Sequence, residues 1–543
     1  MLGCSLLNWN KNLISSALKD CNDAYAPLLS KLKVLLNKYH GIHWTDEQYQ
    51  ALLGNWLIHY LQITYSHWLS VLDGENIIRK NAVLSKRPPK DISEFQNWTN
   101  HDSNYHQLIR YQIQSLINSS FVNNLMTDRN EVVITNNLTL NHKIKRIFFS
   151  IVNCFSSSSS KVLVCEPYIR HLGIIDHLLL IWRLREVCRF DNFLHPFRIK
   201  TKQDVAWRHL NVDATNRTDS FLHAANRLLQ IHLPLIFLEG FSALKNHTAK
   251  LPHQKIKACY TGNGLDCNMQ YKMFVAENYQ NLCVLTHQNG GNYGTDLYNT
   301  LEEYDKSVAD IFYTWGWSDD GGSNTRYLSI RKFPITNNLN NNDVLLVLSN
   351  HPKHIYRIHF TPSSENIQDM IDQTIEFVSL VHTSCNLTIR PYHVDYGQDF
   401  IGQIKRQAPG TYQIDKRKTT VYKQLSKYNL IVCNSVGTTW LETMSSNKPT
   451  VCFIDEEVIS FRKEARPYIQ ELKQVGILHD NPASAAAHVK KIYPNINSWW
   501  MQFDVQKARK KFIKEYARTS KNWIKDWENE FRRVLKTTKS SIN

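Results

Sequence analysis

Hydrophobic positions in the first 125 residues recur at three- and four-residue spacing. Trp56, Leu57, Tyr60, Leu61, Thr64 and Trp68 fall on one side of an amphipathic helix that stops near Asp73-Gly74. Beyond this segment the period shortens. Glu131 to Thr135, Arg146 to Val152 and Lys161 to Cys165 read as strands, with the serine run Ser156 to Ser160 as a connection. A helix over His177 to Val187, strands over Leu235 to Glu239 and Ile256 to Thr261, a helix over Asn268 to Asn278 and a strand over Asn281 to Thr286 follow. Strands that alternate with helices predict a parallel sheet covered on both faces.

Residues 288–343 are rich in Gly, Asn, Asp and aromatic residues, with a surface turn expected at Asn337 to Asn342. A second alternation then begins: strand Val344 to Ser349, helix Glu365 to Val381, strand Leu387 to Arg390 and helix Thr420 to Lys427. It ends in YNLIVCNSVGTTWLETMSSNKPTVCF, Tyr428 to Phe453, which reads as strand, small-residue loop, helix and strand. The loop Asn434 to Thr439 gathers hydroxyls and backbone N–H groups at a helix N-terminus, where an anion such as phosphate is favoured. The alternative is an ordinary turn with Thr438 or Thr439 as N-cap. From residue 484 the chain is helical, with Trp499, Trp500, Phe512, Tyr516, Trp523, Trp527 and Phe531 as an aromatic stripe expected to close over the first domain. The expected fold is α/β with two Rossmann-like doubly wound domains. The divisions are a helical N-terminal segment (1–125) packing on the first domain, the first domain (126–290), an interdomain connection (291–343), the second domain (344–483) and C-terminal helices (484–543).

A chain of 543 residues is too long for one core, and 42% hydrophobic residues suffice for two. Lys and Arg outnumber Asp and Glu by 64 to 48, a net charge of +16 that attracts anions. Without any RNA- or DNA-binding signature, nucleic acid is not the expected partner; an anionic membrane surface or a phosphorylated small molecule fits better. Eleven cysteines show no Cys-x-x-Cys pair and no zinc spacing. They sit singly in apolar runs, as buried reduced thiols do, so the expected location is the cytoplasm, and the basic balance adds the expectation of a peripheral hold on the inner face of the cytoplasmic membrane.

Three clusters fall at predicted strand ends. Glu239, after Leu235 to Leu238, has a carboxylate placed to act as general base or nucleophile, or simply to cap a helix or pair with a cation. His287, Gln288, Asn289, Gly290, Gly291 and Tyr293 form a loop whose glycines allow close backbone approach to a ligand and equally serve as a hinge. Arg390 and His393 follow a second-domain strand and suit a phosphate-bearing ligand. Together with Ser435, Thr438 and Thr439 they make a phosphate-binding set, with Glu442 one turn into the helix able to reach a neighbouring hydroxyl of the same ligand. Asp319-Asp320-Gly321-Gly322 reads as a turn rather than a metal site, and no metal or cofactor is expected.

The chain resembles a family of transferases encoded in bacterial O-antigen and surface-polysaccharide loci. The likeness is carried by LLGNWLIHYLQITYSHWL (52–69), LPLIFLEGFSAL (233–244), QNGGNYG (288–294), SVADIFYTWGW (307–317), LTIRPY (387–392), NSVGTTWLETMSSNKPTVCF (434–453) and ARPYIQELKQVGILHDNPASAAAHV (465–489). The resemblance implies a GT-B-like, metal-independent glycosyltransferase acting on a nucleotide-sugar donor and a glycan or lipid-linked glycan acceptor. Glu239 and His287 would then lie near the reacting carbon. The family's loop reads Gln-His-Gly-Gly-Gly-Tyr-Gly, whereas here Asn289 stands in the His position and Asn292 in that of the third Gly. If that His is the base, this chain uses His287 instead or is a non-catalytic subunit of a polysaccharide assembly complex. A polyol-phosphate transferase is a further option. More distantly, Arg390-Pro391-Tyr392-His393 followed by a Ser/Thr loop resembles the CMP-sugar site of sialic acid and Kdo transferases, which implies a CMP-linked donor such as CMP-Kdo.

Overall fold

Twelve short strands form two six-stranded parallel sheets in the computed structural model. It describes residues 9–74, 87–118, 130–136, 138–154, 162–167, 169, 174–209, 220–251, 256–318, 324–328, 330–331, 343–352, 354, 357–358, 367–455 and 459–537. The first sheet comprises β1 (Val162–Cys165), β2 (Cys188–Phe190), β3 (Ala258–Thr261), β4 (Cys283–His287), β5 (Ile311–Thr314) and β6 (Thr325–Tyr327), in the order β2-β1-β3-β4-β5-β6. The second comprises β7 (Asp343–Val347), β8 (Asn386–Arg390), β9 (Tyr412–Ile414), β10 (Leu430–Cys433), β11 (Thr450–Phe453) and β12 (Leu478–His479), in the order β9-β8-β7-β10-β11-β12. Interior strands such as β1 (VLVC) and β10 (LIVC) are buried throughout, as helices on both faces require. The chain is therefore an α/β protein of two Rossmann-like doubly wound domains, with helical segments at both ends.

Alternate residues of the first sheet serve two cores. Leu163, Cys165, Cys259 and Val284 face the N-terminal helices, while Val162, Val164, Tyr260, Leu285 and Tyr313 face the opposite side. The helix Asp46–Leu72 buries 20 of its 27 residues. It is a core helix rather than the amphipathic one expected, because Lys11–His40 packs along it and Met269–Asn278 supports it from the sheet side.

Four other expectations are corrected. Arg146 to Val152 is not a strand but lies within the helix Leu140–Cys154; a contiguous apolar run does not by itself separate the two periods. Leu235 to Glu239 is also not a strand. After Pro234 it makes a buried 3-10 turn, Leu235–Phe237, whose amides bond to Pro89 O (2.8 Å) and Lys90 O (2.9 Å). The stretch 291–343 is more than a connection, since it supplies β5 and β6 to the first sheet. Finally, the aromatic stripe divides: Trp499, Trp500, Phe512 and Tyr516 belong to the second core, and Trp523, Trp527 and Phe531 to the first. Ser156 to Ser160, Asp319 to Gly322 and Asn337 to Asn342 lie outside the described residues. The described cysteines are free thiols, and among the described residues no helix is long and apolar enough to cross a membrane.

Candidate functional site

The order of the second sheet reverses between β7 and β10, which opens a crevice at the carboxyl ends of these strands. Asn434, just after β10, closes its base by accepting from the Ser349 amide (2.7 Å). A cavity of about 530 Å³ occupies the crevice. Its second-domain wall is built from the segments after β7 (Ser349, His351), β8 (Arg390, His393) and β10 (Ser435 to Thr439), and its first-domain wall from Asn289 to Asp296, after β4. Nine of the expected residues thus meet there: Asn289, Gly290, Gly291, Tyr293, Arg390, His393, Ser435, Thr438 and Thr439.

The helix Thr438–Ser445 points its N-terminus at this space. Its N-cap is Gly437, with no side-chain cap bond, so neither threonine caps it, and the first residues of the helix, Thr438, Thr439 and Trp440, line the cavity. The first-domain loop approaches it closely. A Cβ on Gly291 would lie 2.5 Å from Gly437 C and 2.6 Å from Thr438 N, so glycine is required for this approach. Arg390 lines the wall, yet its guanidinium is already engaged by the Asp415 carboxylate and by Thr419 O (2.8 Å). It braces the crevice rather than offering an open fork. Arg417, whose Nη1 donates to Tyr392 O (2.5 Å), and Arg357, whose Nε meets His59 Nε2 (3.2 Å), bring further positive charge to the same wall.

Four expected residues lie elsewhere. Glu239 is buried in an ion pair with Arg208, 2.7 Å away, and also accepts from the Asp204 amide. His287 is buried inside the first sheet, with Nδ1 2.5 Å from Tyr260 Oη, and burial lowers its pKa to about 3, so it is a neutral core imidazole. Gln288 spends its Oε1 on the Trp315 amide (3.0 Å) and Trp317 Nε1 (2.9 Å). Glu442 is buried on its helix away from the cavity wall. None of the four lines the cavity.

One carboxylate that the sequence did not single out does line it. Asp296 is 8% exposed, accepts from Asn292 Nδ2 (2.7 Å), and its pKa is pushed up to about 7, chiefly by burial. It is held in place from the second domain: Leu297 N donates to Ser460 O (2.8 Å), and Arg462 Nε donates to Asp296 O (2.8 Å). Its signal in the sequence is the polar run that continues beyond Gly294 through Thr295 to Asp296.

A second cavity of about 680 Å³ opens at the switch point of the first sheet, after β1 (Glu166) and β3 (Asn263), with Asp91, Asn136, Asn268 and Gln270 in its wall. Asn289 joins the two regions, since its Nδ2 donates to Gly262 O (2.9 Å). Among the described residues no group of three or more His, Cys, Asp or Glu is arranged to hold a metal.

A family model described as LIC12162 family transferase matches residues 8–531, so the chain belongs to that family. No curated protein matches the chain. Among solved structures it is similar to Acinetobacter baumannii MurG (11% identity over 69% of this chain and 100% of that one, TM-score 0.36). It is also similar to the Staphylococcus aureus MnaA–UDP co-structure (9%, 70% and 97%, TM-score 0.39) and to Anabaena Alr3699/HepE in complex with UDP and glucose (10%, 69% and 99%, TM-score 0.38). With TM-scores below 0.5, these likenesses leave the fold resting on strand order and register.

Proposed function

We propose that this LIC12162 family transferase is a glycosyltransferase that moves a sugar from a nucleotide-sugar donor to a glycan or lipid-linked glycan acceptor in surface-polysaccharide assembly. The observation that carries the reading is the uncapped helix N-terminus at Thr438, which opens onto an interdomain cavity with Asp296 in the facing wall. The donor's phosphate would sit against the first N–H groups of this helix and the hydroxyls of Ser435, Thr438 and Thr439, under the positive charge of Arg417 and Arg357. Asp296 would take the proton from an acceptor hydroxyl. That oxygen bonds to the anomeric carbon as the bond from this carbon to the phosphate oxygen breaks, and the departing electron pair settles on the phosphate. Stabilisation of the leaving group is assigned to these protein groups without metal. The acceptor is assigned to the first-domain side, where Asn289 connects the cleft with the second cavity. Arg390, held by Asp415, would brace the wall behind the phosphate, and a CMP-linked donor is one of the nucleotide classes proposed.

Isothermal titration of the full chain with UDP-, CDP- and CMP-linked sugars tests the reading. One nucleotide class should bind, and Thr438→Ala with Thr439→Ala should weaken it several-fold while the fold persists. Binding of none of them would overturn it. Nucleotide binding without any sugar transfer would instead favour the non-catalytic reading that Asn289 suggests.

A further inference from the structure

Exposed large apolar side chains concentrate on two helices of the first domain. Leu140, Ile144, Ile147 and Ile151 are spaced by four, three and four residues along Leu140–Cys154; they form one stripe, and each is more than half exposed. Leu178, Leu179 and Trp182 add a second exposed group on Ile174–Leu184. Among the described residues these seven are half of the fourteen exposed large hydrophobics, a concentration that scattered surface residues do not produce. The other sides of both helices are occupied. Val152 from one and Leu180, Ile181 and Leu184 from the other enter a single buried cluster, and both helices pack on the edge strand β2. The two exposed groups therefore share one region at the edge of the first sheet.

The charge of that region has one dominant sign. The segment 140–154 carries Lys143, Lys145 and Arg146 and no Asp or Glu. Arg183 and Arg185 follow the second stripe, against Asp176 and Glu186. The Arg185 guanidinium stacks over the Trp182 ring at 3.8 Å, a pair with an apolar body and a charged edge that suits an interface between hydrocarbon and water. A second copy of the chain would set the same basic residues against each other across a two-fold axis, which disfavours self-association through this face.

We propose that this face lies on an anionic phospholipid bilayer. The Ile144 stripe and Trp182 enter the boundary between headgroups and acyl chains, and Lys143 and Arg183 reach the headgroup phosphates. The site would then work beside a membrane, independently of which nucleotide sugar it uses.

Co-sedimentation of the full chain with vesicles tests this. Vesicles of phosphatidylcholine and phosphatidylglycerol should bind it, pure phosphatidylcholine vesicles should bind it less, and added salt should weaken binding. The double variant Ile144→Glu/Ile147→Glu and the double variant Lys143→Glu/Arg183→Glu should each lower binding about tenfold or more. These side chains are exposed, so thermal unfolding and nucleotide titration should stay as in the parent chain. Failure of the parent chain to bind the anionic vesicles at low salt would overturn the proposal, as would binding that both variants retain. A dimer seen by light scattering that the same substitutions dissociate, without lipid binding, would also overturn it in favour of a second copy.

Discussion

Two buried carboxylates behave differently at the residue scale. The Glu239 side chain is 4% exposed and meets Arg208 through two hydrogen bonds, so its charge is matched where it sits. Asp296 meets amide and hydroxyl groups in place of a paired guanidinium, and burial lifts its pKa to about 7. The folded state thus favours its protonated form. Its contribution to stability is present at acid pH and lost as pH rises through about 7, the range in which the carboxylate proposed as proton acceptor appears. The kcat/KM for sugar transfer should therefore climb about tenfold per pH unit below pH 7 and level off above it. Asp296→Asn should lower kcat by roughly a hundred- to ten-thousandfold, flatten that profile and leave nucleotide affinity close to the parent value. Glu239→Gln should do the reverse. It strands a buried guanidinium, so a stability loss of about 3–5 kcal/mol is expected in denaturant unfolding, with kcat of the folded fraction nearly intact.

Elements divide by how completely their pattern depends on local sequence. The strands β1, β3, β4, β7, β8, β10 and β11 were legible because each is a short apolar run set between turn residues, and a parallel sheet needs nothing more. The switch-point loop at Asn434 to Thr439 was legible for the same reason, since it is local to a strand, a glycine and a helix start. Arg146 to Val152 was not, because Phe148, Phe149 and Val152 turn inward while Ile147 and Ile151 stay exposed, and apolar residues on both sides of a helix mimic a strand. The placement of Glu239 and His287 was also beyond reach, since it depends on the distant partners Arg208 and Tyr260. The C-terminal helix Trp523–Lys536 is another long-range case. It leaves the second domain at Arg518, whose amide bonds to Trp315 O (2.8 Å), and lays Trp527 and Phe531 against Tyr260 on the first sheet. Trp527→Ala should cost about 3–5 kcal/mol in denaturant unfolding and expose the first domain to protease ahead of the second.

For the whole molecule the two domains share a buried seam, in which Tyr293, Phe312, Trp315 and Trp317 join the second-domain core, and a few backbone contacts along it border the cleft. Gly291 rests on the backbone of Gly437 and Thr438, Asp296 and Leu297 bond to the segment Ser460 to Arg462, and Gln62 of the N-terminal helix accepts from the Ile358 amide (2.9 Å). The spacing between Asp296, the proposed base, and Thr438, the proposed phosphate site, thus depends on a contact that admits no side chain. Gly291→Ala would set a methyl group against backbone atoms, which cannot rotate away, so the domains must part by a few tenths of an ångström or more. The expected outcome is a melting temperature near the parent value, nucleotide affinity weakened roughly tenfold and kcat reduced further, because proton transfer is steep in distance. Gly290→Ala is the internal comparison. Its Cβ would meet only the Tyr293 ring at 3.7 Å, an ordinary contact, so affinity and turnover should stay close to the parent chain. Calorimetric nucleotide affinities and turnover measured on the two variants side by side check this, and equal effects of both would show that the closeness of Gly291 to the Thr438 helix does not set the geometry of the site.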